Sequence, residues 1–234
     1  MPVAGYDKKS MQHDELLLSL PFTAGVGAVV GDIAKPHHYT TSNMAWASLV
    51  SGLPVGSFDG ATQYAQILAA ASGDLDITTE DYSVVGWVYY QSTLQSQIVI
   101  GRYGVDLDGW EVYLDESSET LSLRHHHSSL APDNRDACYS EGWLLNTWYL
   151  FGISRDSLYP TMYRNGEEMS VTYETGGLKD PDTCARDLVV GTRFTKDANW
   201  YEGHMQGLRV WVGKALTAED HRHIFNTERR WFAV

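Results

Sequence analysis

The sequence predicts an all-β sandwich that is closed by one short C-terminal helix. Most of the chain consists of short runs in which apolar and polar residues alternate, and turn residues separate these runs. The 234 residues include 8 Trp and 14 Tyr, which suit sheets and contact surfaces. A helical pattern with a start signal occurs only near the C-terminus. Ten or more short strands followed by one helix indicate a single compact sandwich domain.

The first strand is predicted within residues 15–22, and the Gly-containing stretch 24–57 is assigned to no element. Residues 56–67 predict a strand, an Asp-Gly turn and a second strand. Residues 81–91 form the strongest strand pattern, with one face made by Tyr82, Val84, Gly86, Val88 and Tyr90 and the other by Val85, Trp87 and Tyr89. Further strands are predicted at residues 97–103, 109–116, 120–126, 143–155, 160–169, 187–194 and 205–216.

Tryptophan and glycine positions refine this interpretation. Trp87, Trp148 and Trp211 each lie among aliphatic residues in a predicted strand, and we expect them to fill the space between two sheets. Gly191 and Gly207 lie within strands and predict bulges or close backbone contacts.

The C-terminal helix has a recognisable start. Thr217 is the predicted N-cap, and Asp220 follows three residues later in a capping-box arrangement. Ile224 and Phe225 are expected to form its buried stripe.

Charge and hydropathy exclude several classes of partner. The net charge of −13 and the pI near 5.0 argue against nucleic acid, whose phosphates would be repelled. Nowhere do about 18 apolar residues follow one another, so we expect no membrane span. The apolar run at residues 16–20 is too short for a signal peptide and follows Asp14 and Glu15, which predicts synthesis in the cytoplasm.

The two cysteines, Cys138 and Cys184, are too few for a disulfide scaffold and lack the spacing of a zinc site. Each lies in a polar segment beside an apolar strand. Two alternatives stay open, namely a disulfide between loops at one end of the sandwich and two buried or free thiols.

Residues 109–119 contain four carboxylates, Glu111, Asp115, Glu116 and Glu119. On a regular strand Glu111 and Asp115 share a face but lie about 13 Å apart. Retaining and inverting glycosidases need about 5.5 Å and about 6.5–9.5 Å between their carboxyl groups. The stretch is therefore interpreted as a solvated strand face that runs into a polar turn, and the chain as a protein without catalytic activity.

Two other segments carry candidate site residues. His125 and His127 would share a strand face and could provide two ligands for Zn²⁺ or Ni²⁺, with His204 or Asp136 as a third ligand. The alternative is that the histidines belong to a polar strand end that enters a flexible loop.

Residues 195–203 place Trp200 and Tyr201 in a loop, where exposed rings would stack on a sugar or anchor an interface. These two are the candidate ligand-binding residues. The alternative is a loop folded down on the sheet edge.

Several segments, taken in order, carry a family resemblance: "FDGATQY", "DITTEDYSVVGWVYY", "GWEVYL", "NTWYLFGISRD", "YRNGEEM" and "LVVGTRF". With the closing strand and helix, they resemble the laminin-G-like jelly-roll domains of the concanavalin A-like lectin/glucanase superfamily over about residues 55–228. The resemblance implies a jelly roll of two curved antiparallel sheets. Residues 55–234 would form this domain, and residues 1–54 a partly irregular arm that includes the first strand.

The resemblance also bears on catalysis and on calcium. Glucanases of the superfamily carry an E-x-D-x-(x)-E arrangement on one strand, and Tyr113 takes the place of the middle acid here. Some laminin-G-like domains bind Ca²⁺ at acidic rim loops, and the loops here offer Asp106, Asp108, Asp133, Asp136, Asp180, Asp182 and Asp187. Many relatives, however, have an acidic residue in the closing strand where this chain has Gln206-Gly207-Leu208. No specific motif supports calcium, and no cofactor is expected.

The functional expectation follows from the resemblance to stand-alone laminin-G-like proteins of tailed bacteriophages. The protein is expected to be a structural protein of the virion that is made in the host cytoplasm. It would be either a head decoration or a tail or receptor-binding component. Its expected partners are other virion proteins such as the major capsid protein, a host-surface glycan and further copies of itself. The alternative is a free carbohydrate-binding lectin-like module.

Overall fold

The computed structural model describes residues 15–22, 29–35, 37–115, 119–128, 135–174 and 176–234. In chain order, the strands are β1 (Leu16–Leu20), β2 (Val29–Gly31), β3 (His38–Ser42), β4 (Ala45–Ser48), β5 (Pro54–Asp59), β6 (Tyr64–Ile67), β7 (Tyr82–Tyr90), β8 (Gln97–Gly104), β9 (Asp108–Asp115), β10 (Thr120–His126), β11 (Arg135–Ser140), β12 (Tyr149–Arg155), β13 (Thr161–Arg164), β14 (Glu167–Glu168), β15 (Thr172–Tyr173), β16 (Leu188–Val190) and β17 (Glu202–Val212). The α-helix is α1 (Ala218–Glu228).

The strands form two antiparallel sheets, which confirms the predicted all-β sandwich. The eight-stranded sheet has the order β14-β13-β12-β7-β17-β5-β4, and β1 also pairs with β17. The nine-stranded sheet has the order β15-β11-β10-β9-β8-β16-β6-β3-β2. Within the described ranges, no helix combines the length and the apolar character needed to cross a bilayer.

The segment before residue 55 contributes to both sheets. β1 pairs with β17 and β4 with β5 in one sheet, whereas β2 and β3 extend the other sheet beyond β6. Three of these strands lie in the stretch 24–57 that the sequence left unassigned, and β11 and β15 were not predicted either. Residues 1–14 and 23–28 lie outside the described residues, so the partly irregular arm stays a prediction.

The turn at Asp59-Gly60 connects the two sheets. β5 and β6 lie on either side of it, as predicted, but β5 pairs with β17 whereas β6 pairs with β16 and β3. The carboxylate of Asp59 accepts hydrogen bonds from the backbone N–H groups of Ala61, Thr62 and Gln63, which stabilise the reversal.

The core between the sheets confirms the predicted alternation of β7. Its residues Tyr82, Val84, Val88 and Tyr90 belong to one large buried cluster with side chains of the other sheet. Since the neighbouring positions of a strand face opposite sides, Val85 and Trp87 lie on the other side of β7.

The position predicted for the three tryptophans is partly wrong. Trp87, Trp148 and Trp211 are buried, but they belong to a second cluster with Ile224 and Phe232 of the C-terminal segment. The rings of Trp87 and Phe232 stack with centroids 3.9 Å apart. The outer face of the eight-stranded sheet is thus covered by α1, which explains why both faces of its strands are apolar.

Two glycines occupy the special backbone positions that the sequence indicates. Gly207 has φ +60°, and the pairing of β17 with β7 shifts register between Gln206 and Arg209. At this bulge the other neighbour of β17 changes from β5 to β1. Gly191 directly follows β16 rather than lying within a strand; it has φ +85°, and a Cβ atom there would lie 2.6 Å from the ring of Phe58.

The helix begins as predicted. The hydroxyl of Thr217 accepts from the backbone N–H of Asp220, and the Asp220 carboxylate accepts from the backbone N–H of Thr217. Ile224 is buried and Phe225 is partly buried. Buried His221 was not predicted; its ring stacks on Tyr163 with centroids 4.0 Å apart.

Candidate functional site

The predicted acidic face centres on Glu111 of β9. Its side chain is only 2% exposed, so the interpretation as a solvated residue is wrong. Arg124 lies opposite Glu111 on β10 and donates from Nη1 to Oε1 at 3.0 Å. His126 Nε2 lies 3.1 Å from the same oxygen. Glu111 is buried because these two partners satisfy it, whereas Glu116 lies outside the described residues.

The surroundings of Glu111 determine its protonation state. Burial alone would raise the pKa of this carboxyl, but the bonds from His126 and Tyr103 and the charge of Arg124 together lower it. The backbone N–H of Asp106 donates to His126 Nδ1 at 3.2 Å, so a neutral imidazole carries its hydrogen on Nε2 and donates to Glu111. An ionised, buried carboxylate held by three partners does not act as a general acid.

The histidine run forms structural hydrogen bonds. His125 Nδ1 donates to the carbonyl of Lys179 at 2.7 Å, and its Nε2 accepts from the hydroxyl of Tyr82 at 2.7 Å. His127 Nε2 lies 3.2 Å from Asp136. All three histidines are buried at the end of β10, so they are not exposed to solvent there. Residues 129–134 lie outside the described residues, so the flexible loop stays a prediction. Burial lowers the pKa of His125 to about 3, which keeps it neutral.

The predicted metal ligands do not assemble. Within the described ranges, no group of three or more His, Cys, Asp or Glu side chains is arranged around a common point. His204 is partly buried and stacks on Tyr89 instead, with centroids 5.6 Å apart. Acidic residues of the predicted rim loops bind protein groups: Asp108 binds Arg186, Asp180 binds Arg155, Asp182 binds Ser128 and Asp187 binds Lys196. Asp133 lies outside the described residues.

The two cysteines are free and buried, so the disulfide alternative is not realised. Cys138 lies within β11, between Leu123 and Tyr173 of the neighbouring strands. Cys184 lies in the segment before β16, where its backbone N–H donates to Asp76 at 2.8 Å. Cys138 is thus a core residue of the sheet rather than part of a rim loop.

The two candidate aromatic residues have different environments. Tyr201 is fully buried against Phe58, with ring centroids 5.6 Å apart, so its predicted exposure is wrong. It directly precedes β17 and lies in the core between the sheets. Trp200 is partly buried and lies beside the partly buried Tyr64, with ring centroids 6.2 Å apart. The sequence did not indicate Tyr64, which is distant along the chain.

The loop that carries Trp200 is held at several points. The Trp200 carbonyl accepts from the side chain of Gln95 at 3.3 Å. The side chain of Asn199 donates to the Ser96 carbonyl at 3.0 Å, and the Asn199 carbonyl accepts from the backbone N–H of Ile98 at 3.1 Å. These bonds tie the loop to the start of β8, so the Trp200–Tyr64 pair is a preformed aromatic surface.

A cleft lies where edge strands of the two sheets approach each other. It has a volume of about 400 Å³ and is lined by Thr161, Glu168, Met169, Ser170, Val171 and Tyr173. Tyr159 lies next to it, 55% exposed, and its ring meets that of Tyr173 edge-to-face with centroids 5.2 Å apart. Sequence reasoning missed this cleft because β15 was not predicted.

Solved structures with the same fold include binding domains of botulinum neurotoxins. The receptor binding domain of the C/D mosaic serotype aligns with a TM-score of 0.66 at 12% identity, covering 92% of this chain and 52% of that one. The binding domain of serotype D aligns with a TM-score of 0.65 at 14% identity. The binding domain of neurotoxin DC, solved in complex with rat synaptotagmin II, aligns with a TM-score of 0.65 at 11% identity, and both alignments have the same coverage. This chain spans about half the length of these structures, and the likeness shows the fold alone.

Sequence comparisons identify the family of this chain. No curated protein matches the chain. The profile of the Concanavalin A-like lectin/glucanases superfamily matches residues 59–220, which is more than half of the chain. The match contains β6 to β17 and the start of α1, and the two antiparallel sheets have the architecture that the resemblance implied. The chain belongs to the Concanavalin A-like lectin/glucanases superfamily.

Proposed function

We propose that this protein is a non-catalytic, lectin-like recognition module that binds carbohydrate through Trp200 and Tyr64. The observation that carries the proposal is the partly exposed pair of rings, 6.2 Å apart, in which Trp200 lies on a loop tied to β8 and Tyr64 begins β6. Aromatic rings combine a large apolar face with a polar edge, which suits the faces of sugar rings. A loop that is already ordered loses little conformational entropy on binding.

The state of Glu111 supports a role without catalysis. On the strand face where the resemblance implies the acids of glucanases, this carboxylate is ion-paired with Arg124 and buried. Asp115 lies four residues further along the same strand, about 13 Å away, which exceeds the separation of either type of glycosidase.

Binding to a panel of immobilised oligosaccharides, with and without calcium, tests the proposal. We expect Trp200→Ala and Tyr64→Ala to lose most of the binding while the thermal unfolding profile stays native-like. Trp231→Ala is a matched control, because Trp231 is also partly buried but packs beside the C-terminal cluster. Equal binding by Trp200→Ala and the unmutated protein would rule out this surface.

A role as a virion component, in the head or the tail, is a second proposal. Val50 at the tip of the β4–β5 connection and Leu94 are almost fully exposed, and either one offers an apolar contact for a neighbouring subunit or capsid protein. Gradient sedimentation of a gentle lysate from the native source is the test. Co-sedimentation with a particle after a salt wash is expected, and recovery only as a monomer or small oligomer would contradict the proposal.

A further inference from the structure

The cleft between β13, β14 and β15 has an acidic and aromatic character. Its volume of about 400 Å³ lies in the range of about 300–1,000 Å³ that small-ligand sites have. β14 ends the eight-stranded sheet and β15 ends the nine-stranded sheet, so the cleft opens at the edge of the sandwich. Its six lining residues include one carboxylate and no Lys, Arg or His.

The carboxylate is that of Glu168, which is exposed and has no ion-pair partner among the residues with a described position. Its neighbour Glu167 differs, because Arg222 of α1 lies 3.3 Å from it. The charge of Glu168 reaches the aromatic wall: the pKa of Tyr173 is raised, first by burial and further by nearby groups that include Glu168. The cleft therefore has an uncompensated negative charge beside its aromatic wall.

The aromatic wall is held in place. The hydroxyl of Tyr173 donates to the carbonyl of Pro160 at 2.9 Å, which fixes the ring and occupies its only donor. The ring of Tyr159 meets that of Tyr173 at an interplanar angle of 89°, and Tyr159 is 55% exposed. A ligand in the cleft therefore meets aromatic surface, the thioether of Met169, the carboxylate of Glu168 and the hydroxyls of Thr161 and Ser170.

We propose that this cleft binds the cationic side chain, Lys or Arg, of a protein partner. The ammonium or guanidinium group lies between the Glu168 carboxylate and the faces of Tyr159 and Tyr173, while the aliphatic stem packs on Met169. An aromatic face attracts a cation, and the carboxylate adds charge complementarity. The net charge of −13 draws cationic partners toward the surface. This site is separate from the Trp200 surface and does not depend on carbohydrate binding there.

An NMR titration of the full chain tests the proposal with the capped peptides Ac-Gly-Lys-Gly-NH₂ and Ac-Gly-Arg-Gly-NH₂. The readout is the ring-proton shifts of Tyr159 and Tyr173. We expect both peptides to shift them in a salt-sensitive way, and the norleucine analogue to leave them unchanged. Glu168→Gln and Tyr159→Ala should each weaken binding roughly two- to five-fold or more.

Matched variants separate the proposed contacts from general effects on the surface. Glu167→Gln removes the same charge one residue away, from a carboxylate that already pairs with Arg222, and should leave the affinity unchanged. Tyr159→Phe keeps the aromatic face and should bind like the unmutated protein.

Three results would overturn the proposal. The first is an equal shift with norleucine, and the second is an equal loss in Glu167→Gln and Glu168→Gln. The third is a neutral oligosaccharide that shifts the same tyrosines while the cationic peptides do not, which would assign the cleft to sugar.

Discussion

Arg209 and Glu228 join β17 to the last turn of α1 through two parallel hydrogen bonds. Arg209 Nη1 donates to Glu228 Oε1 at 2.9 Å, and Nη2 donates to Oε2 at 2.8 Å. The guanidinium is fully buried, and the indole N–H of Trp87 also donates to Glu228 at 2.8 Å. This carboxylate thus fixes the helix over the tryptophan cluster of the eight-stranded sheet.

Glu228→Gln should destabilise the protein by about 3 kcal/mol, because it removes the charge of the carboxylate that pairs with the buried guanidinium of Arg209. Equilibrium unfolding in urea measures the loss. Glu167→Gln is the matched control, since Glu167 and Arg222 are 70% and 53% exposed and such a pair contributes about 1 kcal/mol or less. Similar losses in the two variants would show that the Arg209 pair does not anchor the helix.

Stability should fall as the pH drops from about 6.5 toward 3. Burial lowers the pKa of His221 and of His125 to about 3, from an ordinary value near 6.5. Below pH 6.5 the unfolded chain binds protons that the folded protein does not, so each histidine lowers the free energy of unfolding by up to about 1.4 kcal/mol per pH unit. Urea unfolding between pH 7.5 and 5 measures this slope.

A His221→Gln variant tests the contribution of one site. His221 Nε2 lies 2.8 Å from the hydroxyl of Ser154, which an amide also reaches, while the titrating ring is lost. The variant should be less stable at pH 7.5 and should show a shallower decline toward pH 5. An unchanged slope would contradict the assignment of the acid sensitivity to His221. Carboxylates titrate mostly below pH 4.5 and stay outside this window.

Gly152→Ala should destabilise the protein by about 1–3 kcal/mol through overpacking. A Cβ atom at Gly152 would lie 2.3 Å from Nδ1 of His221, so the ring would have to leave its place between β12 and Tyr163. Thermal unfolding measures the effect. Gly73→Ala is the control, because no atom lies within 4 Å of a Cβ added there. Equal melting temperatures of the two variants would contradict this packing.

The thiols of Cys138 and Cys184 should be unreactive in the native protein. Burial raises the pKa of Cys184 to about 12 and that of Cys138 further, so neither forms the reactive thiolate at neutral pH. Titration with a chromogenic disulfide reagent should detect no thiol in buffer and both thiols in urea. Detection of no thiol in urea would instead indicate a disulfide.

The strand alternation and the start of the helix were predictable because they depend on neighbours in the sequence. The faces of β7 follow from a run of nine residues, and Thr217 and Asp220 lie three positions apart. Which face of β7 meets the other sheet was not predictable. Trp87 and Val88 lie on opposite faces, and both faces are apolar because α1 covers one of them.

Contacts between strands explain the errors at the candidate sites. Glu111 alternates with apolar residues, as a solvent-facing residue does, and its partner Arg124 becomes visible only once β9 and β10 are paired in register. Trp200 and Tyr201 look alike in the sequence, but they lie in the loop before β17, where no strand period applies, and only Tyr201 reaches the core. The Tyr159–Tyr173 cleft requires the edges of both sheets, which no local pattern contains.

Glu111→Gln should cost about 2–4 kcal/mol at pH 7, because Arg124 would lose its counter-charge in a site of low exposure. The folded pKa of Glu111 lies below its ordinary value near 4.5, so its ionised form stabilises the protein fully above that pH. This stabilisation is lost as the pH falls through the folded pKa. The difference in unfolding free energy between Glu111→Gln and the unmutated protein should therefore stay constant from pH 7 to about 5 and shrink below 4.5.

Urea unfolding at a series of pH values, carried as low as both proteins stay folded, measures this difference. Arg124→Met provides the second test, since it removes the cation that lies 4.3 Å over the ring of Tyr113 and pairs with Glu111. If the pair is coupled, the double variant should be destabilised by less than the sum of the two single variants. A difference that stays constant down to the lowest pH, together with additive losses, would mean that Glu111 does not stabilise the sheet through its charge.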